Sequence, residues 1–132
     1  MRLPCELVSK YVLPTLRSMV AKELIEKHKF SQVRAAREIG TTQAAISQYL
    51  YSKRGTKKLH ELEAAIEIRQ IAEQMAQEIA ANNGSSTDVL VKFCDSCRSL
   101  RSSRALCKLH RDLVAIPNSC SICPETLQAS FR

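Results

Sequence analysis

The chain has no tryptophan, and aromatic residues make up only 5 % of it. Single-stranded nucleic acid is held largely by stacking bases on aromatic rings, so that mode of binding is disfavoured. Glycine (three) and proline (four) are scarce, while Ala, Leu, Glu and Lys abound. So few chain breakers among strong helix formers predict an all-α fold. No apolar run reaches the length that spans a bilayer, and the N-terminus lacks the apolar stretch and cleavage site of a secretory signal. The expectation is a cytoplasmic protein with no membrane partner. Neither a phosphate loop nor an acid–base pair is visible, so no enzyme and no small-molecule substrate are expected.

Positive charge is present in excess, +7 over 132 residues, and it is unevenly spread. Residues 1–58 hold 12 Lys and Arg against four acids; residues 59–83 hold Arg69 against five glutamates; residues 84–132 hold seven cations against four acids. A basic first half is the electrostatic footprint of a nucleic-acid-binding surface. The acidic middle would be repelled by DNA and should face away from it.

Residues 32–51 read as a helix, a tight turn at Gly40 and a second helix. Ser31 is an N-cap candidate for the first. Ala36 is small where the helices cross closely, and Gly40 supplies the positive φ that the turn needs. Ile39, Ile46 and Leu50 provide apolar contacts that set the interhelical angle. The second helix keeps an outer face of Thr42, Gln43, Ser47 and Gln48, with Ala44 and Ala45 leaving room for close approach. Such short hydrogen-bonding groups suit base edges in a major groove. Next come Lys53, Arg54, Lys57 and Lys58, a cation-rich turn suited to flanking phosphates. An ordinary helical hairpin would need none of these additions.

The stretch from about Leu24 to Leu62 resembles the lambda-repressor-like helix-turn-helix domain. Gln32, Ala36, Gly40, Gln43, Ile46 and Ser47 stand where that pattern places them. The resemblance implies that Gln32 contacts phosphate and buttresses Gln43, and that Gln43 meets a base edge. More widely the chain is similar to archaeal predicted transcriptional regulators that join this domain to a cysteine-rich tail. Leu3-Pro4-Cys5-Glu6, Tyr11-Val12-Leu13-Pro14 and the C-terminal cysteine pairs carry that likeness. Some members of that group are fused to a thiamine-phosphate synthase domain; nothing of that size is present here.

Residues 5–28 read as a helix that Pro14 should kink or restart, leaving 4–13 as a short separate helix. Leu7, Val8, Tyr11, Val12 and Leu13 exceed what one thin face needs, which core packing explains better than a partner chain. Residues 59–80 read as a long helix. Its stripe of Leu59, Leu62, Ala65, Ile66, Ala72, Met75, Ala76 and Ile79, widened by Ile68 and Ile71, is broader than docking on a small domain would bury. It is therefore expected to pair two protomers, with Met75 in the seam. Asn82 to Ser86 form a linker.

Five of the six cysteines fall at Cys94-x2-Cys97-x9-Cys107-x12-Cys120-x2-Cys123. Two Cys-x-x-Cys pairs in a short intracellular chain let sulfurs converge on one metal. Disulfides are disfavoured by a reducing compartment and by the odd number, and redox dithiol switching is the weaker alternative. Zinc would take Cys94, Cys97, Cys120 and Cys123, leaving Cys107 spare. A 4Fe–4S cluster would take four of the five and suits helical flanks and the terminal Cys-Pro slightly better, since Arg98 and Pro124 stand where zinc knuckles usually place glycine. Leu90, Phe93, Cys97 and Leu100 are expected on one face, as are Leu106, His110 and Leu113. His110 reads as packed or surface-lying rather than ligating, and Cys5 has no assigned role.

These readings divide the chain into a DNA-binding domain (1–58), a dimerisation helix (59–83) and a cysteine-rich metal or iron–sulfur domain (84–132). The expected function is a homodimeric, sequence-specific regulator of transcription on double-stranded DNA, its cluster sensing iron, oxygen or redox state. The alternatives are a DNA-binding protein with a purely structural zinc site and an antitoxin-like or adaptor interaction module.

Overall fold

A computed structural model describes residues 3–51, 65–82, 86–104, 106–113, 117, 119, 120, 122 and 123. Among them every regular element is helical. The first helix, α1, runs without a break from Pro4 to Glu26: an α-helical turn (Pro4–Leu7), a π-helical turn (Val8–Val12) and a longer α-helix (Leu13–Glu26). Leu3 is extended (φ −75°, ψ 151°), as a residue before proline prefers. Proline in a first turn forgoes an N–H that would have had no helical partner.

Pro14 accounts for the π turn. In a regular α-helix its ring would press on the carbonyl of Lys10 and offer it no N–H. The widened turn, in which the Leu13 N–H donates to the Val8 carbonyl, changes the register, and Pro14 then sits in the first turn of the next segment. Thr15 Oγ1 donates to the Tyr11 carbonyl at 2.8 Å. Residues 4–13 are thus not a separate helix. Leu7, Val12, Leu16, Val20 and Leu24 are fully buried along α1, so the apolar surplus before Pro14 belongs to the chain's own core.

Among the described residues five more helices follow: α2 (Gln32–Ile39), α3 (Gln43–Tyr51), α4 (Ile66–Asn82), α5 (Ser86–Ser102) and α6 (Cys107–Leu113). The longer segment of α1 packs against α2, α3 and, most extensively, α4. The α4 stripe of Ile68, Ala72, Met75, Ala76 and Ile79 is buried, each residue at 3 % exposure or less. Ala72 and Ala76, four apart, let the two helix axes approach closely.

The stripe, expected to pair two protomers because it exceeds what docking on a small domain would bury, finds partners within one chain in the continuous α1 and the following α5. Met75 is 3 % exposed and lies against Ser96 of α5, whose Oγ is 3.5 Å from its sulfur. It is not free to form a seam between protomers. Ile66 at 67 % exposure is the stripe residue left outside. Leu59 and Leu62 lie outside the described residues, as do the expected boundaries at 58/59 and 83/84.

The tail is held to this body by its own apolar face and by polar clamps. Val89, Phe93 and Leu100 of α5, with Leu106 and Leu109 beyond it, join the same buried cluster as α1 and α4. The face differs by one residue from that expected: Val89 turns inward, and Leu90 is 63 % exposed. Buried Ser96 donates to the Lys92 carbonyl at 2.8 Å. Lys92 pairs with Glu78 of α4, and Arg17 of α1 lies 5.9 Å from the centre of the Phe93 ring. Arg104 adopts a left-handed φ of 65° after α5, and its carbonyl accepts from the Cys107 N–H at the start of α6. Helix α6 returns to the Pro4–Leu7 turn of α1.

Burial of Met75 yields a prediction. Met75→Glu places an unpaired carboxylate among apolar side chains, or forces it to take a proton. It should lower folding stability by about 3 kcal/mol or more without changing the oligomeric state. Denaturant unfolding with size-exclusion chromatography checks this; a folded, fully stable variant that only dissociates would restore Met75 to a seam.

Candidate nucleic-acid interface and cysteine site

The α2–turn–α3 unit is built by local rules. Ser31 is extended (φ −70°, ψ 160°), and its Oγ accepts from the Arg34 N–H at 3.1 Å, capping α2. Ala35 and Ala36 are buried where α2 meets its neighbours. At Gly40 φ is 71°, and the Gly40 and Thr41 N–H groups both donate to the Ala36 carbonyl. A Cβ at Gly40 would meet nothing within 4 Å, so the need for glycine is conformational rather than spatial. Ile39 and Ile46 are buried, and Leu50 packs half-buried against the same cluster.

Thr42 Oγ1 accepts from the Ala45 N–H at 3.1 Å and caps α3. Its hydroxyl proton stays available, so capping does not exclude a contact with a phosphate or base. Gln43, Ala44 and Gln48 are exposed and Ser47 is half-buried, so the outer face expected of α3 is present. Across the turn, Gln43 Nε2 donates to Gln32 Oε1 at 2.8 Å. That bond joins the first residues of two helices and orients the Gln43 amide. Its carbonyl oxygen and second Nε2 hydrogen remain for another partner, as do both hydrogens of the Gln32 amide.

Tyr51 was not singled out from sequence, yet at 74 % exposure it is the most exposed large apolar side chain described. It continues the face of Ala44 and Gln48, and the spacing of four and then three residues was the signal available. Val33, 64 % exposed beside Gln32, is a second omission. Arg34 stacks over the Phe30 ring with its guanidinium carbon 3.8 Å from the centroid. Lys53, Arg54, Lys57 and Lys58 lie outside the described residues.

Three of the cysteines, Cys5, Cys94 and Cys97, border a cavity that the α2–α3 turn also lines. Cys94 and Cys97 are three residues apart on α5, which puts both sulfurs on one face. Cys94 is exposed and Cys97 half-buried; Cys107, which opens α6, and Cys120 and Cys123 are half-buried. That cavity, of about 530 Å³, is bordered by Cys94 and Cys97, by Cys5 of α1, and by Ile39 and Gly40 of the turn. Burial pushes the Cys97 thiol above its usual pKa; Arg101 opposes the shift, while the thiols of Cys5, Cys94 and Cys123 add to it. Among the described residues, no three Cys, His, Asp or Glu side chains already converge in an ion-holding arrangement. His110 is half-buried on α6.

The donor chemistry nevertheless fits a soft metal centre, since three thiols border the cavity against a single carboxylate, that of Glu38. No family model, curated protein or solved structure matches this chain. No described helix is long and apolar enough to cross a membrane.

The turn supplies a second prediction. Gly40→Ala keeps the open space but forces an L-residue into a left-handed conformation. It should cost about 1–2 kcal/mol of stability, and Gly40→Asn should cost less because asparagine tolerates that region better. Equilibrium unfolding of both variants checks the order; equal stability of Gly40→Ala and the parent chain would contradict a left-handed turn.

Proposed function

We propose that the chain is a sequence-specific transcription regulator that reads double-stranded DNA through a lambda-repressor-like helix-turn-helix, with α3 in the major groove. The observation that carries this reading is the Gln43–Gln32 hydrogen bond. Two exposed amides bonded to each other add little to stability, because water would serve each nearly as well. What the bond does is hold one amide in a set orientation before DNA arrives. A glutamine so held offers an acceptor and a donor side by side, the pattern that matches the N6 and N7 edge of adenine. Gln32, at the start of α2, is left to donate to phosphate.

Thr42, Ala44, Ser47 and Gln48 flank Gln43, and Tyr51 extends the surface. Lys53, Arg54, Lys57 and Lys58 are assigned to phosphates by their charge and their place just after α3. Two copies on a palindrome would present their α3 helices one DNA turn apart, about 34 Å. The seam between such copies would not be the Ile68–Ile79 stripe, which α1 occupies.

The cysteines belong, in this reading, to an iron–sulfur centre that senses iron, oxygen or redox state. Its support is the thiol-rich donor set and the placement of Cys94 and Cys97 within one α-helix, in contrast to the strand-and-knuckle setting of zinc ribbons. The cluster would supply an oxidation-sensitive crosslink. The chain's own part is to hold thiolates beside the turn. A zinc staple is the competing outcome: colourless protein with zinc after anaerobic purification would replace the cluster.

Selection from randomised duplexes tests the DNA reading. The parent chain should enrich a defined site, and Gln43→Ala should bind that site about 1–3 kcal/mol more weakly and relax preference at one base pair. Absence of any enriched site, or an unchanged preference in Gln43→Ala, would remove it.

A further inference from the structure

We propose that Cys5, in the first turn of α1, ligates the same centre as Cys94 and Cys97, so that the metal ties the N-terminal turn to α5 directly behind the helix–turn–helix turn. This inference rests on the metal-binding reading above and names its site. Sequence spacing points only to the five clustered cysteines and leaves Cys5 about ninety residues from its nearest fellow. The fold removes that distance, because Cys5, Cys94 and Cys97 border one cavity of about 530 Å³.

The cavity is framed by rigid parts. Leu7 and Val8, 0 % and 4 % exposed, anchor the turn that carries Cys5. Val89 and Phe93 anchor α5 from the core side. Cys5 and Cys94 are themselves exposed, so their side chains can rotate toward a shared ion without unpacking the core. A tetrahedral zinc or a 4Fe–4S cluster takes one thiol more than the three of Cys5, Cys94 and Cys97, and the Cys120–Cys123 pair of the tail is assigned to supply it. Cys107 is left over from that set.

The location gives the centre a physical route to DNA. Ile39 and Gly40 line the same cavity. Gly40 holds the left-handed turn whose geometry sets the angle between α2 and α3, and with it the meeting of Gln32 and Gln43. A centre bridging α1 and α5 would brace that turn from behind. Loss of the centre would free the brace.

The test uses the full chain, purified anaerobically and stripped, then loaded with ferrous iron and sulfide or, separately, with Zn²⁺. Iodoacetamide labelling read by mass spectrometry reports each cysteine. The expected result is that Cys5 and Cys94 label readily in the stripped protein, Cys97 more slowly because it is half-buried, and that all three are protected together on loading. Cys5→Ser should weaken metal retention by at least about tenfold, while Cys107→Ser retains the parent's metal content. Circular dichroism of the stripped variants controls for folding, and labelling of the parent chain needs no variant at all. A loaded parent chain in which Cys5 labels as fast as in the stripped form overturns the inference and leaves a tail-only site. Retained metal in Cys5→Ser with loss in Cys107→Ser does the same. A parent chain that takes up neither iron–sulfur nor zinc overturns the metal-binding reading itself.

Discussion

Burial of one side of α1 is the constraint on which the other elements depend. Leu7, Val12, Leu16, Val20 and Leu24 are withdrawn from water along its whole length, at about 1.5–3 kcal/mol for each large side chain so buried. A break at Pro14 would misalign the two halves of that stripe. The π turn at Val8–Val12 keeps them in register and accommodates the proline ring. Helix α4 can then lie along a single straight partner, α2 and α3 can pack against it from another side, and α6 can reach its first turn. The acidic α4 and the basic first half of the chain are thereby joined through apolar contacts.

The α2–turn–α3 unit and the cysteine-bordered cavity share a turn. On one side of it, Gln32 and Gln43 meet at the starts of α2 and α3. On another, Ile39 and Gly40 face the cavity that Cys5, Cys94 and Cys97 border. The backbone between these two places is short and capped at both ends, by Ser31 before α2 and by Thr42 before α3. Short capped segments transmit displacement because they have few soft torsions to absorb it.

Local chemistry was legible in the sequence wherever neighbouring residues decide the structure. The Ser31 cap, the positive φ at Gly40 and the apolar roles of Ile39 and Ile46 each depend on a few adjacent positions. The approach of Gln32 and Gln43 was expected from a resemblance, and composition alone would not have suggested it. What stayed hidden was long-range. The width of the α4 stripe cannot say whether its partner is another chain or α1, because buried area looks the same from either side. Inward Val89 and outward Leu90 differ by one helical step, which apolar periodicity does not resolve when both residues are apolar. Cys5 was passed over because ligand spacing is a local signal, and only the return of α5 and α6 to the first turn of α1 brings it near the other thiols. Tyr51 continues the face of Ala44 and Gln48, but its 74 % exposure depends on what packs around the end of α3.

The central claim is that Gln32 and Gln43 act on DNA as one unit. A double-mutant cycle on the selected duplex measures this directly, with Gln32→Ala, Gln43→Ala and the double variant titrated at fixed salt. The account predicts a coupling of about 0.5–3 kcal/mol: Gln32→Ala should cost less in the Gln43→Ala background than in the parent chain, because only its phosphate contact is then left to lose. Strict additivity of the two losses, or no loss from either, would contradict it.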